Sequence, residues 1–243
     1  MSGLGAPPQS AIPAPLLDAA SRPYRSAGWF AYHFARGKLK GDPVYAAILS
    51  LGLLQGRCRV LDLGCGQGLL TAWLRAAECC YNGGTWPYAW PPAPRSVSML
   101  GIELMIGDVE RARRALGPDA PVLHGDIRTA AFGQADAVVI LDVLHYMGAA
   151  TQHEILERVR AALPADGLLL LRVGDADGGL RFRYGQWIDK LVMKLRGHGW
   201  VRTHTRSLPQ WRGLLQQCGF ASAVVPMSMG TPFANFLLVA RPA

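Results

Sequence analysis

The run Val60-Leu61-Asp62-Leu63-Gly64-Cys65-Gly66-Gln67-Gly68 sets glycines in alternation behind an apolar stretch that holds one carboxylate. Glycine has no Cβ, so such a turn can be tight and a ligand can lie against its backbone. A helix starting at Leu69 would add unpaired amide donors at its first turn. That chemistry suits a nucleotide or nucleoside, and the register narrows the choice. The dinucleotide fingerprint needs Gly at the second and fifth positions after its first, but the fifth is Leu69 counted from Gly64 and Thr71 counted from Gly66. A P-loop needs Lys-Ser or Lys-Thr after the glycines, and neither follows.

Further along, Gly101-Ile102-Glu103-Leu104 puts a carboxylate where it could accept from both hydroxyls of a ribose, with Leu104 and Met105 placed to cover a purine face. His124-Gly125-Asp126-Ile127 offers Asp126 as an acceptor for an adenine amino group, and Ile140 to Tyr146 adds Asp142, His145 and Tyr146. Each has a plainer alternative. The glycines serve any tight strand-to-helix turn, Asp126 suits an Asx turn, and His145 suits a packed or capping role. Their joint occurrence at successive segment ends points to one nucleoside site.

Short apolar runs and amphipathic stretches alternate from residue 57: Arg57 to Leu63, Leu69 to Ala77, Ser98 to Leu104, Asp108 to Leu116, Pro121 to Ile127, Ala135 to Leu141, Gln152 to Leu163 and Leu168 to Val173. Strand, helix, strand, helix, strand, strand, helix, strand is the order this predicts. Such alternation implies an α/β fold with a doubly wound, mostly parallel sheet, whose ligands bind outside the carboxyl ends of the strands. A helix at Leu208 to Cys218 and β-like runs at Ala221 to Pro226 and Phe233 to Ala240 predict a C-terminal antiparallel hairpin.

Residues 1–26, interrupted by Pro7, Pro8, Pro13 and Pro15, are expected to form a loosely ordered arm. Residues 27–56 are expected to form two helices, with a restart at Pro43, that cover the site. Within the core at 57–243, insertions are expected at 79–97, rich in Pro and Trp, and at 176–206, where Phe182 to Leu195 reads as a helical cap with Tyr184 on it.

The glycine turn with Glu103, Asp126 and Asp142, in this order, resembles the motif set of class I S-adenosylmethionine-dependent methyltransferases over roughly residues 57 to 175. The resemblance implies a Rossmann-like seven-stranded sheet and S-adenosylmethionine as cofactor. It implies that Asp62, Gly64, Cys65 and Gly66 hold the methionine end, Glu103 the ribose, and Leu104, Asp126 and Ile127 the adenine. Leu141 to His145, Asp142 among them, would line the space beside the sulfonium. The interval from Gly64 to Glu103 is longer than the family's usual one, and the insertion accounts for it. By the same likeness the Gly28 to Lys40 segment folds over the cofactor, so that Tyr32 or Arg36 meets its carboxylate. A packed aromatic and a surface cation are their plainer roles. The segment from Ala35 to Pro43 resembles small bacterial methyltransferases of fatty-acid-like or aryl-polyene pathways, without fixing a substrate.

Methyl transfer from a sulfonium chiefly needs alignment and exclusion of water, and a base is optional. For a hydroxyl acceptor His145, Tyr146 and Tyr184 are the candidate bases. Arg172, in an apolar strand, would anchor an anionic acceptor or pair with a nearby carboxylate. The expected acceptor is a small molecule or a carrier-bound acyl or aromatic group.

A formal charge of +8 favours anionic partners, but the basic residues are dispersed and no tract suited to nucleic acid appears. The five cysteines lack paired metal spacing, and no metal site is expected. The longest apolar stretch, Val44 to Leu54, is shorter than the roughly 18 residues of a spanning helix, and the N-terminus lacks a basic start to a signal, so a cytoplasmic enzyme is expected. Rival readings are a nucleic-acid methyltransferase, an NAD(P)-dependent oxidoreductase, which Leu69 disfavours, and a non-catalytic cofactor-binding protein.

Overall fold

The computed structural model describes residues 12–118, 120–176, 203–228 and 234–243. The cap expected around Tyr184 lies outside them. The described elements are α1 (Ala14–Ser21), α2 (Trp29–Gly41), α3 (Pro43–Ser50), β1 (Arg59–Leu63), α4 (Leu69–Asn82), β2 (Ser98–Glu103), α5 (Ile106–Leu116), β3 (Val122–His124), β4 (Ala137–Leu141), α6 (Ala149–Ala162), β5 (Leu168–Gly174), α7 (Leu208–Gln217), β6 (Phe220–Pro226) and β7 (Asn235–Pro242).

Among the described residues seven strands form one sheet in the order β3-β2-β1-β4-β5-β7-β6. Parallel pairing joins β1 to β2 and β4, and β2 to β3, whereas β7 runs antiparallel to both β5 and β6. The order turns back at β1 and β4, which is where ligands lie in open α/β sheets. This is the doubly wound sheet with a C-terminal hairpin that the alternation of patterns predicts.

The chain divides into two compact units, Pro7–Val139 and Ile140–Ala243. In the first, Val60, Leu61 and Leu63 of β1 are buried, and α4 supplies Leu70, Trp73, Leu74 and Ala77. Trp73 donates its indole N–H to the Tyr45 carbonyl at 2.9 Å, so its one polar atom is satisfied inside the core. In the second, Leu168 to Leu171 of β5 are all buried, as are Leu237 and Leu238 of β7 and Trp211, Leu214 and Leu215 of α7. A strand covered on both faces has no polar side to present, hence its unbroken apolar run. A capping box between Ser207 and Gln210 starts α7.

Two expectations are corrected. Residues 14–25, expected in a loose arm, are helical: α1 is followed by a 3-10 turn at Arg22–Arg25, and Leu16, Leu17, Ala20 and Tyr24 are buried. The prolines do not oppose this, because Pro13 is the N-cap and Pro15 lies in the first turn, where the missing N–H has no helical partner to lose. The insertion at 79–97 begins later than expected, since α4 continues to Asn82. Beyond it Trp86 donates to the Pro91 carbonyl at 2.9 Å and stands edge-on to Trp90 at 5.5 Å, folding the proline-rich stretch against itself.

Candidate functional site

The glycine turn after β1 sits within the Pro7–Val139 unit, tied to the end of β2. Gly64 donates its amide to the Ile102 carbonyl at 2.8 Å, and Gly68 donates to the Cys65 carbonyl at 3.0 Å. Gly66 has φ +56 and open space within 4 Å of where a Cβ would stand, whereas at Gly68, φ +77, a Cβ would meet Leu116 at 2.8 Å. Gly66 therefore stands against open space, and Gly68 makes room for α5.

Glu103 ends β2 with a buried side chain. Its carboxylate accepts the Gly66 amide and the Met105 amide, each at 2.8 Å, and its carbonyl accepts the Gly125 amide at 2.9 Å. One residue thus joins the glycine turn, the start of α5 and the turn after β3.

Asp62 is buried within β1, opposite Gly101 and Val139 in the sheet. Burial, and after it the charge of Glu103, push its carboxyl up to about 7. Two acids crowded into a desolvated rim favour a cationic ligand, which relieves both causes. The Cys65 thiol is likewise pushed up by burial and then by the charge of Asp62, so it stays a neutral packing group. A Cβ on Gly101 would stand 2.5 Å from that sulfur, which explains the glycine opposite Asp62.

Tyr24 and Gln67 were not singled out in the sequence, yet they hold the turn from outside. The Tyr24 hydroxyl donates to the Gln67 carbonyl at 2.9 Å, and the Gln67 amide donates to the Ala31 carbonyl of α2 at 3.3 Å. Leu16, Leu17, Ala20 and Tyr24 recur at helical spacing, a signal that the flanking prolines obscured.

Asp126 adopts the Asx turn named as its plainer role. Its Oδ1 accepts the Arg128 amide at 2.9 Å, and its carboxylate is paired with the Arg128 guanidinium, which holds it below the usual carboxylate range. Ile127 is buried and Leu104 is exposed. The carbonyl of Leu104 lies 3.0 Å from His124 Nε2. Arg36 is paired with Asp18 of α1 and also donates to Ser21, its plainer role as a pairing cation. Tyr32 lies beneath the Arg25 guanidinium, 5.0 Å from it.

In the Ile140–Ala243 unit, Asp142 follows β4 with φ +59, a left-handed conformation that Asp tolerates better than most residues. Arg172 of β5 donates its Nε to Asp142 at 2.8 Å and its Nη2 to the other carboxylate oxygen. Of the two roles weighed for Arg172, the ion pair is the one observed, with Asp142 rather than Asp175. Asp175 instead accepts the Leu208 amide at 3.1 Å, at the start of α7. His145 and Tyr146 share a 3-10 turn at Leu144–Tyr146 with their rings 4.0 Å apart. Burial lowers the His145 pKa, opposed by Asp142 and assisted by Arg172, so the ring is neutral near pH 7. Gln152 of α6, also missed in the sequence, shares its two amide hydrogens among the carbonyls of Leu144, Met147 and His204 and accepts from Arg206 at 2.7 Å.

Eight of the expected cofactor residues, Asp62, Gly64, Cys65, Gly66, Glu103, Leu104, Asp126 and Ile127, fall at the carboxyl ends of β1, β2 and β3 or in the turns that follow. Asp142, His145 and Tyr146 follow β4 in the second unit, and Tyr184 lies outside the described residues. The sheet order turns back at β1 and β4, with a glycine turn and buried acids at the strand ends, in a doubly wound α/β protein. The chain belongs to the methyltransferase-domain family, whose sequence model, described as "Methyltransferase domain", matches residues 22–223.

A carboxy-S-adenosyl-L-methionine synthase of Chromohalobacter salexigens is 31% identical over 140 residues, covering 53% of this chain and 47% of that protein. A probable scoulerine-9-O-methyltransferase of Papaver somniferum is 25% identical over 183 residues, covering 72% of this chain and 44% of that protein. The chain spans about half the length of these curated relatives. The crystal structure of magnesium protoporphyrin IX methyltransferase from Synechocystis PCC 6803, with bound SAH, shares the fold at a TM-score of 0.57 and 19% identity, covering 92% of this chain and 93% of that one.

Proposed function

We propose that this protein transfers the methyl group of S-adenosylmethionine to a hydroxyl of a small-molecule acceptor, free or carrier-bound. The observation that carries the reading is the buried pair of acids, Asp62 and Glu103, beside the open backbone of Gly66. That site suits a ligand with a cationic methionine end and a ribose. Asp62 and the Gly64–Gly66 backbone hold the methionine end, Glu103 accepts from the ribose hydroxyls, and Leu104, Ile127 and Asp126 take the adenine. When bound, S-adenosylmethionine supplies a methyl group on a sulfonium, a leaving group that needs no acid.

His145 is the proposed base. Desolvation keeps its ring in the neutral form, which is the form able to take a proton from a hydroxyl. Tyr146 packs against that ring, and Tyr184 stays a second candidate from the sequence. Among the described residues no helix is long and apolar enough to cross a membrane. A cytoplasmic setting, where the cofactor is made, is part of the proposal.

A second reading follows from the relative in Chromohalobacter salexigens, whose name makes a carboxylated S-adenosylmethionine the product. Methyl donation is preferred because the methyltransferase-domain model matches residues 22–223, whereas this relative matches over 53% of the chain.

Thermal shift with S-adenosylmethionine, S-adenosylhomocysteine, NADH and NADPH tests the ligand class, since a ligand that binds the native state raises the melting temperature. Stabilisation by the two adenosyl compounds is expected; stabilisation by NADPH alone overturns the reading. Labelled-methyl transfer into fractionated extract then identifies the acceptor. Label retained on a heavier nucleoside, with no methylated acceptor, would favour the second reading.

A further inference from the structure

We infer that Gln152 is a positioning residue that sets the pose of the His145–Tyr146 turn, by clamping it to the chain at 203–207. The inference rests on the proposed role of His145. Gln152 is fully buried on α6. Burying a primary amide is costly unless its donors and acceptor are all used, and here they are. Its Nε2, with two hydrogens shared among three acceptors, lies 3.1 Å from the Leu144 carbonyl, 2.9 Å from that of Met147 and 2.8 Å from that of His204, while its Oε1 accepts Arg206 Nε at 2.7 Å.

The contacts converge on one short turn. Leu144 and Met147 bracket His145 and Tyr146, and the His145 carbonyl between them accepts the His204 amide at 2.7 Å. The carbonyls at 144, 145 and 147 are thus all tied down, two by the Gln152 side chain and one by a residue that the same side chain holds. Arg206 completes the clamp: it reaches the Ala149 carbonyl at 3.5 Å and lies 5.8 Å from the Trp211 ring centroid. A leucine in place of Gln152 would fill a similar volume and supply none of these bonds. A glutamate would keep the acceptor for Arg206 and turn a second oxygen towards the carbonyls.

The 3-10 turn at Leu144–Tyr146 is one turn long, closed within itself by the Tyr146 and Met147 amides on the Val143 and Leu144 carbonyls, so its placement depends on bonds from outside it, and the orientation of its side chains follows its backbone. The charged groups acting on His145 are Asp142 and Arg172, and the packed groups include Tyr146; all keep their influence only while the turn holds its place.

The test is the titration of His145 by NMR in protein with isotopically labelled histidine, assigned with His145→Asn, alongside amide exchange at Met147 and His204. In Gln152→Leu and Gln152→Glu, exchange at those amides is expected to accelerate by about tenfold or more, through local opening, and the His145 pKa to rise towards its ordinary value. Ile155→Val, a buried change on the same helix, should leave both readings as in the native protein. Should Gln152→Leu fail to fold, Arg206→Gln removes one arm of the clamp and is expected to shift the same two readings in the same direction. An unaltered titration with exchange raised evenly along α6 would overturn the inference and make Gln152 a packing residue. Adenosyl-ligand binding by the native protein is measured separately. Its absence would count against methyl transfer and leave the titration to judge the clamp.

Discussion

The carboxylate of Glu103, at the end of β2, accepts the amide of Gly66, in the turn after β1, at 2.8 Å. The side chain expected to bind ribose is therefore also a structural tie, with its second oxygen on the Met105 amide. Glu103→Gln keeps one acceptor oxygen and turns an NH2 group towards the other amide. Leaving a buried donor unsatisfied costs about 1–3 kcal/mol. The expected outcome is a lower denaturation midpoint together with a loss of S-adenosylmethionine affinity of roughly tenfold or more, by the same order of energy. Native affinity in a destabilised Glu103→Gln would make the residue a tie only.

Asp62 gives that rim a pH dependence. With its carboxyl pushed up to about 7 by burial and then by Glu103, the folded state holds a proton that the unfolded chain has already lost. Between about pH 4 and the folded value the ligand-free protein should lose stability as pH rises, and above it the effect levels off. A cationic ligand favours the ionised form. Calorimetric titration near pH 6 should accordingly show proton release on binding, with affinity rising by up to about tenfold per pH unit before it flattens. Asp62→Asn should abolish the proton release. Release that persists in that variant would assign the proton to another group.

The sheet was legible because its evidence is periodic and local: the apolar runs that became β1, β2, β4 and β5 sit within two residues of their expected bounds. The glycine turn and Glu103 were legible for a related reason, since motif residues at strand ends keep a fixed chain distance from their elements. Other features needed coordinates. The clamp at Gln152 joins residues far apart in sequence, and a glutamine on an amphipathic helix gives no sign of facing inward. The Arg172–Asp142 pair was one of several partnerships the sequence allowed. In α1, proline composition outweighed the helical spacing of Leu16, Ala20 and Tyr24, although proline at a helix start is no breaker.

Gly66 and Gly68 have the same sign of φ but different surroundings, and alanine should separate them. At Gly66 nothing stands within 4 Å of the new Cβ, so Gly66→Ala should cost stability only the left-handed strain, about 1–2 kcal/mol, while obstructing a ligand against the turn. Gly68→Ala adds a clash with Leu116 at 2.8 Å to the same strain. Denaturation and binding measured on both variants should give a large loss of binding with a modest loss of stability for Gly66→Ala, and the larger loss of stability for Gly68→Ala. Equal binding by Gly66→Ala and the native protein would move the ligand away from this turn.

Arg172 and Asp142 form a pair in which the arginine is buried. Removing one member of a buried pair typically costs about 3–5 kcal/mol, because the other charge stays behind, and the half-buried Asp142 puts this case at the lower end. Arg172→Leu should therefore destabilise strongly, and adding Asp142→Asn should recover part of the loss. Asparagine is neutral and accepts the left-handed backbone at this position. A double-mutant cycle by chemical denaturation checks it. Additive losses would show that the two side chains are energetically independent despite their contact.

Tyr24 donates its hydroxyl to the Gln67 carbonyl from a fully buried position. Burial, ahead of the nearby charges, pushes the phenol well above its ordinary range, so it stays a donor at any pH the fold survives. Tyr24→Phe keeps the ring and leaves the carbonyl of Gln67, between Gly66 and Gly68, without that donor. A lost bond of this kind is worth about 1–3 kcal/mol. The free carbonyl should loosen the turn, so a drop in adenosyl-ligand affinity should accompany the drop in stability. The two effects separate by comparison with Leu16→Ala, which opens a cavity under α1 but leaves the hydroxyl bond in place. If both variants weaken binding in proportion to their stability loss, Tyr24 acts through packing alone. A larger binding loss in Tyr24→Phe at equal stability cost would establish that the N-terminal helix shapes the cofactor turn through this one bond.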